Sequence, residues 1–326
     1  MTSKLFPSEQ EATSLLVGPE SVAWRFGSDA RLYSTVLYPL LLQVAHPTVG
    51  AGVRDYSDFE QRPWNRLMRT IDYVTLIIYG GDEAIDVGRR LRALHKGFTG
   101  TREDGRPYYA LEPDAYAWVH ATLIDSYVSG HARFGRPMHP EERERFYREY
   151  RGLGRLLGVR ERDLPSDWAG FRAYFDETIE RDLVHTTSVD RVLRSVRGPV
   201  PPPLPLPGAL WSAIRIPARR ALFLGGVGLL PPKLRARFGV RWSLRDEVEF
   251  RSFSVASRAL TPVLPDRLRV SGPHQLRWRR RAIARGPLGP GIAPPPRRAI
   301  ARGPLGPGTA PRPGAPRSPG PGTPAP

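Results

Sequence analysis

With seven histidines and no cysteine, few side chains in this 326-residue chain could hold a redox-active metal, and one histidine stands where such chemistry would need it. His95 closes the stretch Arg89-Arg-Leu-Arg-Ala-Leu-His95, with Lys96-Gly97 after it. Upstream, Arg66, Arg69 and Thr70 recur at i, i+3 and i+4, which puts them on one face of a helix. Two arginines side by side repel unless an anionic or strongly polar group meets them. A neutral imidazole is a good axial donor to iron, and a histidine near a helix end leaves its ring free to turn toward one. Together the two segments read as the two sides of a haem pocket, and Gly88, two turns before His95, would let a flat macrocycle lie close. The competing readings are a hydrogen-bonded histidine at a core edge and a row of solvent-facing arginines. Leu67, Ile71, Val74, Ile77 and Ile78 make the arginine helix apolar almost all round, which favours pocket arginines.

The elements that would position these residues are helical. Ser28-Asp29 can cap a helix through Leu32, Val36, Leu40 and Val44, kinked at Pro39 and ended by His46-Pro47. A second helix follows Pro63 and reaches Tyr79, with Gly80-Gly81 as its stop. Asp82-Glu83 place negative charge at the start of the His95 helix, as the macrodipole favours, and Gly97 supplies its end. Further helices start at Pro113-Asp114, Pro140 and Pro165-Ser-Asp167. The run Arg197-Gly-Pro-Val-Pro-Pro-Pro-Leu-Pro-Leu-Pro-Gly208 is a polyproline-like connection. Gly225-Gly-Val-Gly228 reads as a helix terminus or loop. No run alternates with period two, so the expected fold is all-α.

Gln43-Val-Ala-His-Pro47, Arg66-Leu-Met-Arg-Thr70, Leu94-His95 and Trp118-Val-His-Ala-Thr122 carry a family resemblance. In order and spacing they are similar to the MpaB oxygenase and rubber-oxygenase (latex-clearing protein) superfamily, over roughly residues 26–280. The resemblance implies a multi-helix domain with a globin-like core, haem b as cofactor, and dioxygen-dependent cleavage of isoprenoid carbon–carbon double bonds. It maps the axial iron ligand onto His95 and further cofactor contacts onto His46 and His120, with Arg66, Arg69 and Thr70 as the catalytic, oxygen-binding side. Leu229–Arg235 and Val240–Ser243 resemble the family's C-terminal helices. This chain departs from the rubber oxygenases at Arg69, where they have a lysine that can occupy the sixth iron position. A guanidinium has no lone pair to give, so Arg69 should not ligate iron and would donate hydrogen bonds to dioxygen or to a propionate.

Read from their surroundings alone, His46 has carbonyls freed by Pro47 within reach, and His120 lies between Tyr116 and Ile124 as a buried, hydrogen-bonded histidine would. For each, a structural and a pocket role stay open. A non-haem di-iron site is disfavoured because paired Glu-x-x-His motifs are missing, Asp182-Leu-Val-His185 being a lone relative. There is likewise no His-Glu-x-x-His zinc motif and no Gly-x-Ser-x-Gly elbow. The absence of cysteine excludes disulfides, thiolate haem ligation and iron–sulfur clusters.

The net charge of +17 is nearly all arginine, with lysine only at 4, 96 and 233, and the last acidic residue is Asp266. Beyond it Arg280-Arg-Ala-Ile-Ala-Arg-Gly-Pro-Leu-Gly-Pro-Gly291 recurs unchanged at 297–308 in an arginine-, proline- and glycine-rich context. That composition predicts a disordered tail. The layout expected is an N-terminal arm at 1–27, a helical domain at 28–275 with the proline connection inside it, and the tail at 276–326. No leader-like or membrane-spanning apolar run is evident, so a cytoplasmic protein is expected, with peripheral membrane contact through the basic tail as a variant. The functional expectation is a haem-dependent oxygenase acting with dioxygen, a small apolar substrate and an electron donor; nucleic acid is disfavoured as a partner. The alternatives are a haem sensor or carrier without turnover, and a basic interaction protein with an inert helical domain.

Overall fold

Proline cannot continue a helix ladder and glycine can leave it in a left-handed turn, and in this chain the two mark most helix ends. The computed structural model describes residues 6–203, 205–265 and 269–277, and among these the fold is all-α with one short hairpin. Of the tail expected at 276–326, the part after Arg277 lies outside the described residues.

The chain opens with α1 (Glu9–Ser14), whose N-terminus is closed by reciprocal bonds between Ser8 and Glu11, and α2 (Val22–Gly27), capped by Ser21. Ala12, Val22, Ala23 and Phe26 are buried, so the stretch expected as an arm packs into the core. The single kinked helix expected from Ser28 to Val44 is two elements. Asp29 caps a 3-10 turn at Ala30–Thr35, and α3 (Leu37–Ala45) starts afresh. Pro39 therefore falls in the first turn of α3, where its missing N–H has no ladder partner to lose, and no kink is needed. At His46 the backbone turns extended (φ −74°, ψ 126°), and Pro47 opens α4 (Pro47–Tyr56) after a bend of 105°. The bend frees the carbonyls of Val44 and Ala45, which accept from Thr186 Oγ1 at 2.7 Å and Val184 N at 2.9 Å.

The next two helices follow the sequence expectation closely. α5 (Pro63–Tyr79) stops at Gly80, Gly81 turns the chain at φ +58°, and α6 (Glu83–His95) packs back on α5. Strands β1 (Thr99–Thr101) and β2 (Pro107–Tyr109) form an antiparallel hairpin with Gly100 opposite Tyr108. Three residues per strand are too few for periodicity to reveal. α7 (Pro113–Phe134) runs through the middle of the molecule, followed by α8 (Pro140–Leu157), which Gly158 ends at φ +88°. Asp167 caps α9 (Trp168–Arg181) and Thr186 caps α10 (Thr187–Arg197). After the proline-rich connection come α11 (Gly208–Val227), α12 (Pro232–Arg237) and α13 (Leu244–Leu260).

Leu41, Leu42, Ile78, Trp118, Phe146, Tyr147, Phe171 and Phe175 are almost wholly buried where α3, α5, α7, α8 and α9 meet. Each such side chain contributes roughly 1.5–3 kcal/mol by leaving water. Trp118 buries its indole by donating Nε1–H to the Leu42 carbonyl at 3.0 Å. Leu230, Leu234, Phe238, Val240 and Leu276 join the same core, as the C-terminal resemblance implies. Gly225 and Gly226 lie in the last turn of α11, with Gly228 at its C-cap, so the stretch is a helix terminus, one of the two readings open to it. A β-carbon on Gly225 would lie 2.3 Å from the Ser34 carbonyl oxygen, and one on Gly226 2.5 Å from Leu37 Cβ. Their bareness lets α11 press against the 3-10 turn and α3.

Gly88 also serves packing. A β-carbon there would lie 2.1 Å from the Leu156 carbonyl oxygen, so this glycine brings α6 onto the backbone of α8. The expectation that it faces a macrocycle is corrected accordingly. Among the described residues no single helix is long and apolar enough to cross a membrane.

Candidate functional site

His95 is the last residue of α6, with the chain turning away at Lys96. Its Nδ1 lies 2.7 Å from the carbonyl oxygen of Leu91, one turn back. That contact makes Nδ1 the protonated nitrogen and leaves Nε2 with its lone pair and no protein partner among the described residues. Phe98 and Tyr116 flank the ring edge-on at 5.3 and 6.2 Å between centroids. Burial pushes the imidazole pKa below its ordinary value; the Leu91 carbonyl opposes this and the Arg66 cation reinforces it. The ring is therefore neutral at neutral pH, and the charge it senses is the one expected across the pocket.

Arg66, Arg69 and Thr70 share one face of α5, and the segment after α4 meets them. Arg66 donates from Nε to Ser57 Oγ at 3.3 Å and from Nη1 to Thr70 Oγ1, while Thr70 donates to the Arg66 carbonyl at 3.0 Å. Removal from water lowers the Arg66 pKa, and the neighbouring Arg69 lowers it further. No carboxylate pairs with Arg66 among the described residues. Arg69 is different: its Nη2 lies 2.7 Å from Asp58 Oδ1, with only 12% of the side chain exposed. The anionic group expected to meet the two arginines is, for Arg69, the protein's own Asp58.

Residues 56–58 thus touch both halves of the site. Tyr56 stacks on Phe98 at 4.1 Å, nearly parallel, and its hydroxyl donates to the Thr99 carbonyl at 2.9 Å; Ser57 and Asp58 hold the two arginines. Sequence reasoning missed Tyr56, Ser57, Asp58, Phe98 and Tyr116. Asp58 precedes Pro63 and so lies outside the helix that carries Arg69, and only the turn between α4 and α5 brings them together. Tyr116 did have a signal, one turn before His120 on α7.

The other two histidines have different surroundings. His120 is buried between α7 and α8, where Nε2 donates to the Tyr150 carbonyl at 2.7 Å and the ring packs on Gly154. Burial lowers its pKa to about 4, opposed by that hydrogen bond. Its polar contact is to α8, not to the Arg66–Thr70 face. His46 forms the joint of α3 and α4, and its charged neighbours are Asp182, Glu112, Arg102 and Asp114. Satisfying the carbonyls freed at Pro47 was one of the two roles open to it. Thr186 and the Val184 amide do so instead, and the buried Nδ1 of His46 has no partner. The Nδ1 of His120 is likewise buried and unpartnered.

The donor set fits attachment of a haem at one axial position. His95 offers an oriented, neutral nitrogen, and Arg66 offers a buried cation that makes no direct ion pair among the described residues, Asp58 acting on it from beside Arg69. Three-ligand metal chemistry has no such support, since no cluster of three His, Asp or Glu side chains occurs among the described residues.

Residues 24–259 match the family model described as "ER-bound oxygenase mpaB/B'/Rubber oxygenase, catalytic domain". Neither a curated protein nor a solved structure matches the chain.

Proposed function

Since the chain belongs to the MpaB and rubber-oxygenase catalytic-domain family, an oxygenase family, we propose that it is a haem-b-dependent oxygenase whose axial ligand is His95. The observation that carries this reading is the ring of His95, fixed through Nδ1 to Leu91 with Nε2 left over, within the electrostatic reach of the buried Arg66, which makes no direct ion pair among the described residues. Bound haem would supply the activation of dioxygen.

The protein's own part follows from the side chains. The Leu91 carbonyl, by accepting from Nδ1–H, aims the ring and strengthens Nε2 as a donor. Burial keeps the ring unprotonated, so no proton competes for that nitrogen. Ser57 and Thr70 hold the Arg66 guanidinium in one orientation before any ligand arrives, which makes it a preorganised donor to a propionate or to negative charge developing on oxygen. Arg69, already paired, sets the position of residues 56–58 against α5. Its guanidinium has no lone pair to give, so it would not act as a ligand to the iron of a bound haem. The aromatic flank of Tyr56, Phe98 and Tyr116 suits a flat apolar partner. The family points to the carbon–carbon double bond of an isoprenoid or other lipid-like substrate, with an electron donor as a further partner.

The test is spectroscopic first. Protein reconstituted with haem should show an intense Soret band, and His95→Ala should lose it with helical circular dichroism unchanged. Oxygen uptake with an isoprenoid substrate should then require His95. A full, unshifted Soret band in the His95→Ala protein would refute the axial assignment.

A further inference from the structure

The N-terminal half of α11 is turned inside out for a soluble helix. Leu210, Ile214 and Ile216 are 49, 46 and 59% exposed, and Ala209, Ala213 and Pro217 beside them are exposed too. Only the last turn of α11, Leu224–Val227, is buried in the body of the molecule. Two tryptophans pin the base of this projecting half. Trp211 donates Nε1–H to the Val200 carbonyl at 2.8 Å, Trp64 donates to Pro201 at 2.7 Å, and their rings meet edge-on at 6.0 Å. The apolar face is thus held in place by the proline-rich connection and by the first turn of α5.

What such a face meets is decided by charge. From residue 191 to 245 the chain carries eleven arginines and lysines and no acidic residue. Among those nearest the face, Arg197, Arg215 and Arg219 form no ion pair with a carboxylate among the described residues. Arg219 donates to the Arg197 carbonyl and Arg197 lies over the Phe223 ring. α13 offers a contrast. Its exposed Leu244 and Val248 stand among charges that are balanced in place, Arg245 with Glu249 and Arg251 with Glu247. A helix that shows Leu, Ile and Trp among unbalanced arginines has the pattern of one that lies in the plane of a lipid interface. A second copy of this surface would bring like charges together, and the arginine-rich segment after residue 277 would do the same.

We propose that residues 208–219 dock this protein on an anionic lipid bilayer, with Leu210, Ile214 and Ile216 entering the headgroup boundary and the arginines meeting lipid phosphates and carboxylates. Trp64 sits two residues before Arg66 on α5, so this docking would set the arginine face of the candidate site close to a lipid phase. The proposal does not depend on haem.

Flotation of the full-length protein with phosphatidylcholine vesicles containing phosphatidylserine tests it. Binding is expected to the anionic vesicles, to be weak on phosphatidylcholine alone, and to fall with rising salt. Leu210→Glu with Ile214→Glu should lower the partition coefficient at least tenfold, and Arg215→Gln and Arg219→Gln should each lower it about fivefold. Leu210 and Ile214 are exposed and Arg215 and Arg219 half-buried near the surface, and circular dichroism should show all the variants folded. Leu244→Glu, on the charge-balanced face, should change nothing. No flotation by the parent protein would overturn the proposal, as would undiminished flotation by the Leu210→Glu/Ile214→Glu variant. So would lipid-free self-association that the same variant abolishes, which would assign the face to a second copy.

Discussion

Mild acid should destabilise this protein before its ordinary carboxylates begin to titrate, and His120 should contribute much of the effect. Desolvation holds its pKa at about 4 in the fold, whereas in the unfolded chain it returns to 6.5. Below 6.5 the unfolded state therefore takes up a proton that the folded state refuses. The stability associated with the neutral ring is complete above 6.5, drains away as pH falls toward about 4, and declines no further below that. At about 1.4 kcal/mol per pH unit, the whole window amounts to about 3 kcal/mol, of which about 2 kcal/mol appears between about pH 7.5 and about pH 5. His46, His95 and His131 are shifted the same way by burial and add to the trend. Asp125, whose pKa burial raises, acts in the opposite sense, holding its proton more firmly in the fold. His120→Gln isolates the histidine, because the amide can still donate to Tyr150 but does not titrate. Urea unfolding of both proteins at the two pH values should show the parent losing about 2 kcal/mol more than the variant. Equal losses would mean that the ring is protonated inside the fold or reached by water, and the argument from its burial would fail.

Three further outcomes follow from packing and charge. Gly88→Ala should cost about 2–3 kcal/mol in urea unfolding, since its methyl would push the α8 backbone at Leu156; a neutral result would mean that α6 can shift freely. Arg66→Gln should raise the pKa of His95 in haem-free protein, because the cation holds it down, and an imidazole proton titration by NMR that does not move would remove Arg66 from the site. Arg69→Ala and Asp58→Ala should each cost stability, with a coupling of about 1 kcal/mol in a double-mutant cycle, as fits a partly buried pair; additive losses would deny the contact.

Much of the fold was legible because the signals were local. Pro63 and Gly80-Gly81 bound α5, Asp82-Glu83 precede α6, and Pro113, Pro140 and Asp167 open the three helices that follow. α4 was missed because His46-Pro47 was read only as a stop, although a proline that ends one helix is also well shaped to begin another. Gly88 was misread for a different reason. A helical glycine shows in sequence that something comes close, and nothing in its neighbours says whether that is a ligand or another backbone. The candidate site divides in the same way. The faces bearing Arg66, Arg69, Thr70 and His95 follow from helical period, while Ser57 and Asp58 reach them only through the turn between two helices.

The last described residues bear on where this protein can be cut. The family match ends at residue 259, yet Ser271 donates from its amide and its hydroxyl to the Ser28 carbonyl at 2.6 and 3.0 Å, and Leu276 is buried in the main core. Gly272 lies so close to the Tyr79 ring that a β-carbon would come within 2.2 Å of it. A fragment trimmed to the matched residues would uncover one side of Tyr79 and leave the α2 end without its cover. It would be a poor choice for expression, and an aggregating fragment of that length would say nothing about the activity of the whole chain. The shortest serviceable piece runs from before Ala12 to beyond Leu276, so for this chain the boundary of kinship and the boundary of foldability are different places.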